Sequence, residues 1–172
     1  KDSSLTYSVD TPEKVLLDKA NKFYESELYF EAREDFELLR DGYPFGAYAE
    51  FAELKIADCY FHSGDFLTSA SLYEDFAKQR PSSTSLPYAL MNAGRAYQLS
   101  NTATGRDPAP LHKGLALYDR FLKEYSDSIY SPSVTKMRAE LITEIIGYEL
   151  MIRDYYLKRN NEKAAEARVT AL

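Results

Sequence analysis

A fixed spacing runs through this chain and limits what it can fold into. Ala20, Ala57 and Gly94 stand 37 residues apart, and each is followed three positions later by an aromatic: Phe23, Tyr60 and Tyr97. Phe36 and Tyr73, Leu39 and Phe76, and Pro44 and Pro81 repeat the same 37. Tyr118, Phe121 and Ser126 continue these columns at a spacing of 45, which places an eight-residue insertion within Ser100–Pro110. A period of this length is one supersecondary unit that cannot bury its apolar face alone, so units must stack on their neighbours.

The columns have the chemistry of a helix–turn–helix unit. A small residue on the first helix lets a second helix approach closely, and an aromatic one turn later fills the space beside it. The second helix returns a small residue of its own at Ala32, Ser69 and Gly114, and a proline stops the unit at Pro44 and Pro81. Pro12, Pro87 and Pro132 fall at helix starts, where a missing N–H costs nothing, with Thr11 and Ser131 as candidate caps. Apolar spacing predicts helices over 12–25, 28–41, 46–62, 65–79, 86–100, 110–125 and 132–159, with another starting near 161. The segment 132–159 carries Val134, Met137, Leu141, Ile145, Tyr148, Ile152 and Tyr155 at helical spacing, and reads as one long spine helix.

The expected fold is therefore all-α, a tetratricopeptide-repeat superhelix (α-solenoid) of antiparallel helix pairs. Three full repeats (about 12–45, 46–82 and 86–127) precede a long helix and part of a fourth repeat (132–172). Residues 1–10 read as an extended segment, and 11–172 as a single array. The cluster Tyr60…Gly64-Asp65-Phe66 matches the turn between the two helices of such a repeat.

Charge and cysteine content narrow the functions. Net charge is −6, which argues against nucleic acid as a partner. Residues 1–80 carry −8 and residues 81–172 carry +2, so the two ends present different potentials. Cys59, the single cysteine, sits in an aromatic helical stretch and reads as a buried, inert thiol. No apolar run approaches a membrane span, and Lys1 without an initiator Met reads as a processed or trimmed start. His62 and His112 lack companions at ligand spacing, and no phosphate loop or nucleophile motif is present, so no catalytic residue, metal or cofactor is expected. The paired carboxylates Glu34-Asp35 and Glu74-Asp75 are expected on solvated helix faces.

The second half resembles a particular family. Gly105-Arg106-Asp107-Pro108, then Ala116-Leu117-Tyr118-Asp119-Arg120-Phe121-Leu122-Lys123-Glu124-Tyr125 and Asp127-Ser128-Ile129-Tyr130, are similar to the outer-membrane assembly lipoproteins of the BamD (YfiO/ComL) family. Glu149 and Tyr155-Tyr156-Leu157-Lys158-Arg159 match the long helix of that family, and Leu28-Tyr29…Ala32…Phe36 with Tyr43-Pro44 match its first repeat. Two departures are visible: Phe45-Gly46 replaces a serine pattern after the first proline, and Ser126 replaces the third proline. The resemblance implies a non-catalytic scaffold, lipid-anchored at the periplasmic face of the outer membrane through a cysteine upstream of Lys1. The implied partners are the barrel-forming assembly subunit, other assembly lipoproteins and the C-terminal targeting strand of unfolded outer-membrane substrates. Family members carry about five repeats. Other readings remain open at this stage: a different cell-envelope scaffold, such as a division or Tol-Pal coordinator, or an accessory domain of an enzyme.

In a stacked array the first helix of each pair lines the inner groove. The register assigns Leu17, Asn21 and Tyr24 to that face in the first unit, and Leu54, Lys55, Asp58 and Phe61 in the second. The third contributes Tyr88, Met91, Asn92, Arg95 and Gln98. Such a groove suits an extended peptide ending in an aromatic residue and a carboxylate, with Lys55 and Arg95 as candidate partners of the carboxylate. The carboxylate clamp of chaperone-binding repeats is poorly matched, because Leu17 and Lys55 replace its first cation and second asparagine. Arg106 and Asp107 form the sharpest loop motif, and the reading favoured for Asp107 is a cap on the following helix. Tyr148, Ile152, Tyr155, Tyr156 and Arg159 are expected to form a partner-contact surface.

Overall fold

A computed structural model of the protein describes residues 12–102 and 107–170. The expected extended segment 1–10, the candidate cap Thr11 and Arg106 lie outside the described residues. Among the described residues eight α-helices follow in order: α1 (Pro12–Glu25), α2 (Tyr29–Gly42), α3 (Ala49–His62), α4 (Phe66–Gln79), α5 (Leu86–Thr102), α6 (Ala109–Glu124), α7 (Ser131–Leu157) and α8 (Glu162–Thr170). The described residues form two compact units, divided between Leu72 and Tyr73.

The repeat columns become the core. Phe36, Tyr73 and Tyr118 are at most 1% exposed, and Leu39, Phe76 and Phe121 at most 3%. Burying each such side chain stabilises the fold by about 1.5–3 kcal/mol relative to leaving it in water. In the first unit Leu17, Ala20, Ala32, Phe36, Leu39, Ala52, Ile56 and Cys59 form one cluster, against which Leu72 also packs. The small residues act as the spacing predicted. Ser69 donates its hydroxyl to the Ala57 carbonyl at 2.9 Å. In the second unit a Cβ on Gly94 would lie 2.7 Å from Cδ1 of Tyr118, and one on Gly114 would meet the Gly94 carbonyl at 3.1 Å.

Turns repeat as faithfully as helices. Within a pair, Leu28, Asp65 and Asn161 each donate a backbone N–H to the carbonyl five residues back, at Phe23, Tyr60 and Tyr156, all at 3.0 Å. The residue before each donor is left-handed: Glu27 at φ 60°, Gly64 at 82° and Asn160 at 54°. Glycine and asparagine tolerate that region, whereas Glu27 bears its cost. Asp65 and Asn161 then cap α4 and α8 by accepting from the N–H of Thr68 (3.3 Å) and Ala164 (3.2 Å).

Between pairs, Tyr43, Arg80 and Tyr125 close the second helix onto Leu39, Phe76 and Phe121 at 3.0, 2.9 and 2.7 Å. Gly46, Ser83 and Ser128 then donate to the carbonyls of Tyr43, Arg80 and Tyr125, so Ser126 in place of proline leaves the turn unchanged. In two copies the serine hydroxyl also accepts from the amide two residues on, Ser83 from Ser85 (3.0 Å) and Ser128 from Tyr130 (3.3 Å). The first copy has glycine there, and the equivalent amide of Tyr48 donates instead to Glu13 Oε1 of α1 at 3.2 Å. A Cβ at Gly46 would lie 2.8 Å from the Glu13 carboxyl carbon. The departure from the serine pattern is thus the room a carboxylate needs.

Three expectations are corrected. Ser131 is not a cap: it is the first residue of α7, and its hydroxyl donates to the Tyr125 carbonyl at 2.7 Å. Helix α3 begins at Ala49 rather than at 46, because residues 46–48 complete the turn. Asp35 is buried at 4% exposure, and half-buried Glu74 accepts from the Tyr97 hydroxyl at 2.8 Å, so neither lies on a freely solvated face.

Candidate functional site

In unit 1 the predicted groove residues centre on a lysine held by its own helix and an aromatic face. Lys55 Nζ lies 3.1 Å from Asp58 Oδ2 and 4.0 Å from the centroid of the Tyr24 ring, with Phe51 at 5.6 Å. Such a cation over a ring contributes about 0.5–2 kcal/mol depending on desolvation. Asp58 is 3% exposed and needs that positive neighbour. Burial, then the charge of Asp58, pushes the Tyr24 phenol above its ordinary range, and its hydroxyl is hydrogen-bonded to Asp58. Tyr24 also packs edge-on against Tyr29 (5.5 Å), Phe36 (6.4 Å) and His62 (5.9 Å), while His62 stacks on Tyr29 at 4.9 Å. Phe61 meets Phe66 at 5.3 Å. Leu17 and Leu54, assigned to the groove, are buried, whereas Asn21, Tyr24, Lys55 and Phe61 are half-buried.

In unit 2 the α5 face is a chain of oriented polar groups. Asn92 donates Nδ2 to the Tyr88 carbonyl at 3.1 Å, which leaves its Oδ1 to accept from Arg95 Nη1 at 3.1 Å. Gln98 donates to Glu144 Oε1 at 2.6 Å and accepts from the Tyr118 hydroxyl at 3.2 Å, tying α5 to both α6 and α7. Tyr88 sits edge-on to Tyr73 (6.2 Å) and Tyr130 (6.4 Å). Met91 and Asn92 are buried, while Tyr88, Arg95 and Gln98 keep part of their surface in water. Burial pushes the Tyr118 phenol up, Glu144 and Glu140 add to this, and nearby Arg95 opposes it. The face thus carries a guanidinium positioned by an amide and, nearer the start of the helix, the Tyr88–Tyr130 ring contact.

Asp107 accepts the N–H of Ala109 at 2.9 Å at the start of α6. The bond is an Asx turn that satisfies one free N–H at the helix start from the residue before the N-cap Pro108. Pro108 itself makes no side-chain cap bond, so Asp107 supports the start of α6 without being its cap.

The surface expected on the spine helix divides in two. Tyr148, Ile152 and Tyr156 are half-buried, whereas Tyr155 and Arg159 are exposed, the guanidinium lying 4.5 Å above the Tyr155 ring. The open hollow on this helix, about 570 Å³, is walled by Gly147, Leu150, Met151, Asp154, Tyr155 and Lys158. Of these, the sequence assigns only Tyr155 to a contact surface, although Gly147, Leu150, Met151, Asp154 and Lys158 share its three- and four-residue spacing. A second hollow of about 520 Å³ lies between Arg153 and Leu157 of α7 and α8 residues including Ala165 and Val169. Val169 is four residues past the buried Ala165, as Phe36 is past Ala32, yet it is 47% exposed. Glu149, buried at 6%, pairs with Arg168 Nη1 at 3.5 Å across α7 and α8.

Burial pushes the Cys59 thiol up to about 12, with the Asp58 charge adding to it, so the group stays protonated and unreactive in the fold. Among the described residues no three His, Cys, Asp or Glu side chains gather as a metal site, and no helix is long and apolar enough to cross a membrane.

Helix pairs with small residues at their crossings and left-handed turns between them define a tetratricopeptide-type repeat protein. A solved structure of similar fold is the TPR2AB domain–pHSP90 complex of yeast Sti1, with TM-score 0.60 at 16% identity over 92% of this chain and 62% of that one. The chain belongs to the YfiO family, described as an outer membrane lipoprotein, whose model matches residues 9–172. Among its relatives is outer membrane protein assembly factor BamD of Vibrio cholerae, 25% identical over 95% of this chain and 72% of the relative. The BamD of Xylella fastidiosa strain 9a5c is 28% identical over 94% of this chain and 59% of its own length. That of Neisseria gonorrhoeae is 22% identical over 98% and 66%.

Proposed function

We propose that the protein is a non-catalytic scaffold of the machinery that assembles β-barrel proteins in the outer membrane. It acts at the periplasmic face, anchored by a lipid. The observation carrying this reading is the family match over residues 9–172, together with relatives named as outer membrane protein assembly factors. Its partners in this reading are the barrel-forming subunit, other assembly lipoproteins and unfolded barrel substrates.

The α5 face of unit 2 supports the binding role best. Asn92 orients Arg95, and Tyr88 stands beside Tyr130, so a carboxylate and an aromatic ring find complementary groups within one helix face and its neighbouring turn. In unit 1, Lys55 is already matched by Asp58 and Tyr24, and serves the fold first. Titration with peptides ending in an aromatic residue tests the reading. Free-acid peptides should bind more tightly than their amides, and Arg95→Glu should remove the difference. Equal binding of scrambled peptides would sink the substrate-holding role and leave a scaffold that binds folded partners only.

A further inference from the structure

Position 35 breaks its repeat column. The residues at the same register are Leu72 and Leu117; Leu72 packs against the core of unit 1, and Leu117 is 8% exposed. Asp35 is as buried, at 4%, but carries a carboxylate. Its Oδ1 accepts from Lys19 Nζ at 2.9 Å, while Oδ2 accepts no hydrogen bond. An unsatisfied buried acceptor is destabilising, and leucine serves the fold at this register elsewhere. Stability therefore gives no reason for a carboxylate here.

Asp35 belongs to a hollow of about 430 Å³ on α2, walled also by Glu34, Glu37, Leu38 and Asp41. Leu38 stands 58% exposed in its midst. Arg33 and Arg40 reach Glu37 (3.7 Å) and Asp41 (2.7 Å) along the helix, whereas Glu34 has no ion pair among the described residues. Lys19 holds Oδ1 of Asp35 through a side chain that is itself 57% exposed, so an arriving cation competes with it at that oxygen, Oδ2 being closed off from solvent.

We propose that this side of α2 is a docking site for an arginine-bearing segment of a partner protein. The guanidinium is shared by Asp35 and Glu34, and an apolar neighbour in the segment rests on Leu38. A planar fork bridges two adjacent carboxylates, which the point charge of Lys19 does not, so the guanidinium displaces the ammonium. The −8 of residues 1–80 draws such a segment in and makes its capture sensitive to salt.

The test is a titration of the full chain with a fluorescent Arg-Leu-Arg peptide, with a Glu-Leu-Glu peptide as control. Glu34→Gln should weaken binding about threefold and Asp35→Asn about tenfold. Lys19→Met, which removes the competing cation, should tighten it several-fold, an effect no purely structural role for Asp35 would give. Asp35→Leu restores the residue type of the other repeats, so it should fold and lose the peptide. Retention of binding by Asp35→Leu, no gain in Lys19→Met, or equal binding of the acidic control would each overturn the proposal.

Discussion

Replacing Gly94 by alanine isolates the feature on which the repeat depends, close approach of paired helices. A new Cβ would lie 2.7 Å from Cδ1 and 3.0 Å from Cζ of Tyr118, against a normal carbon–carbon contact of about 3.5–4.0 Å. Tyr118 cannot retreat into solvent, because it is fully buried and its hydroxyl is bonded to Gln98. The ring must shift by most of an ångström or α6 must move off α5, and overpacking of this kind costs about 1–3 kcal/mol. Alanine returns about 0.8–1 kcal/mol of helix propensity over glycine, which offsets part of that cost. The expected net loss is about 0–2 kcal/mol. Gly147→Ala supplies the control. It makes the same exchange inside a helix where nothing lies within 4 Å of the new atom, so it should stabilise by about 0.5–1 kcal/mol. Urea unfolding followed by circular dichroism at 222 nm separates the two, and Gly94→Ala combined with Tyr118→Leu should recover much of the loss. If Gly94→Ala is as stabilising as Gly147→Ala, the close-approach account of the small-residue columns is wrong.

Other perturbations follow from the same geometry. Gly46→Ser should destabilise by crowding the Glu13 carboxylate, and Glu13→Ala should cost about 0.5–1.5 kcal/mol by removing the acceptor for the Tyr48 amide. The double variant should approach wild-type stability, because the serine can accept that amide as Ser83 and Ser128 do; strictly additive losses in urea melts would refute the exchange. Glu27→Gly should stabilise by up to about 1 kcal/mol and Gly64→Ala should destabilise by about 1–2 kcal/mol, since both sit at left-handed φ; a neutral pair would contradict the turn assignment. Burial raises Cys59 to about 12, and burial with the Glu74 hydrogen bond raises Tyr97 to about 12. Groups whose folded pKa exceeds the unfolded one stabilise fully below the unfolded value and lose that contribution as pH rises toward the folded one. The urea midpoint should therefore fall above pH 9, where the unfolded thiol begins to ionise, and Cys59→Ala should reduce the first part of that fall.

The helix pairs were legible because the same columns recur at 37, 37 and 45 residues, and a column repeated three times outweighs local ambiguity. Phe36, Tyr73 and Tyr118 stand where the spacing placed them. Positions decided by what a neighbouring element supplies were not legible. Asp35 belongs to a charged dipeptide that looks solvated in sequence, and only the packing reveals its burial. The left-handed Glu27 carries no glycine to announce it, and Gly46 gives no sign that Glu13 needs the space. On α7 the apolar spacing fixed a helix but not which stripe stays open. That depends on α8 covering the Glu149 side and leaving Met151 (55% exposed) and Tyr155 (48%) in water.

The most direct test of the substrate-holding reading is photocrosslinking in cells, with the full-length protein carrying a photoreactive residue at Tyr88 or Phe61, and at Lys136 on the exposed side of α7 as control. The account predicts adducts from positions 88 and 61 to newly synthesised outer-membrane β-barrel chains, disappearing as those chains finish assembly, and none from position 136. Equal yields from all three positions, or adducts to folded proteins alone, would contradict it.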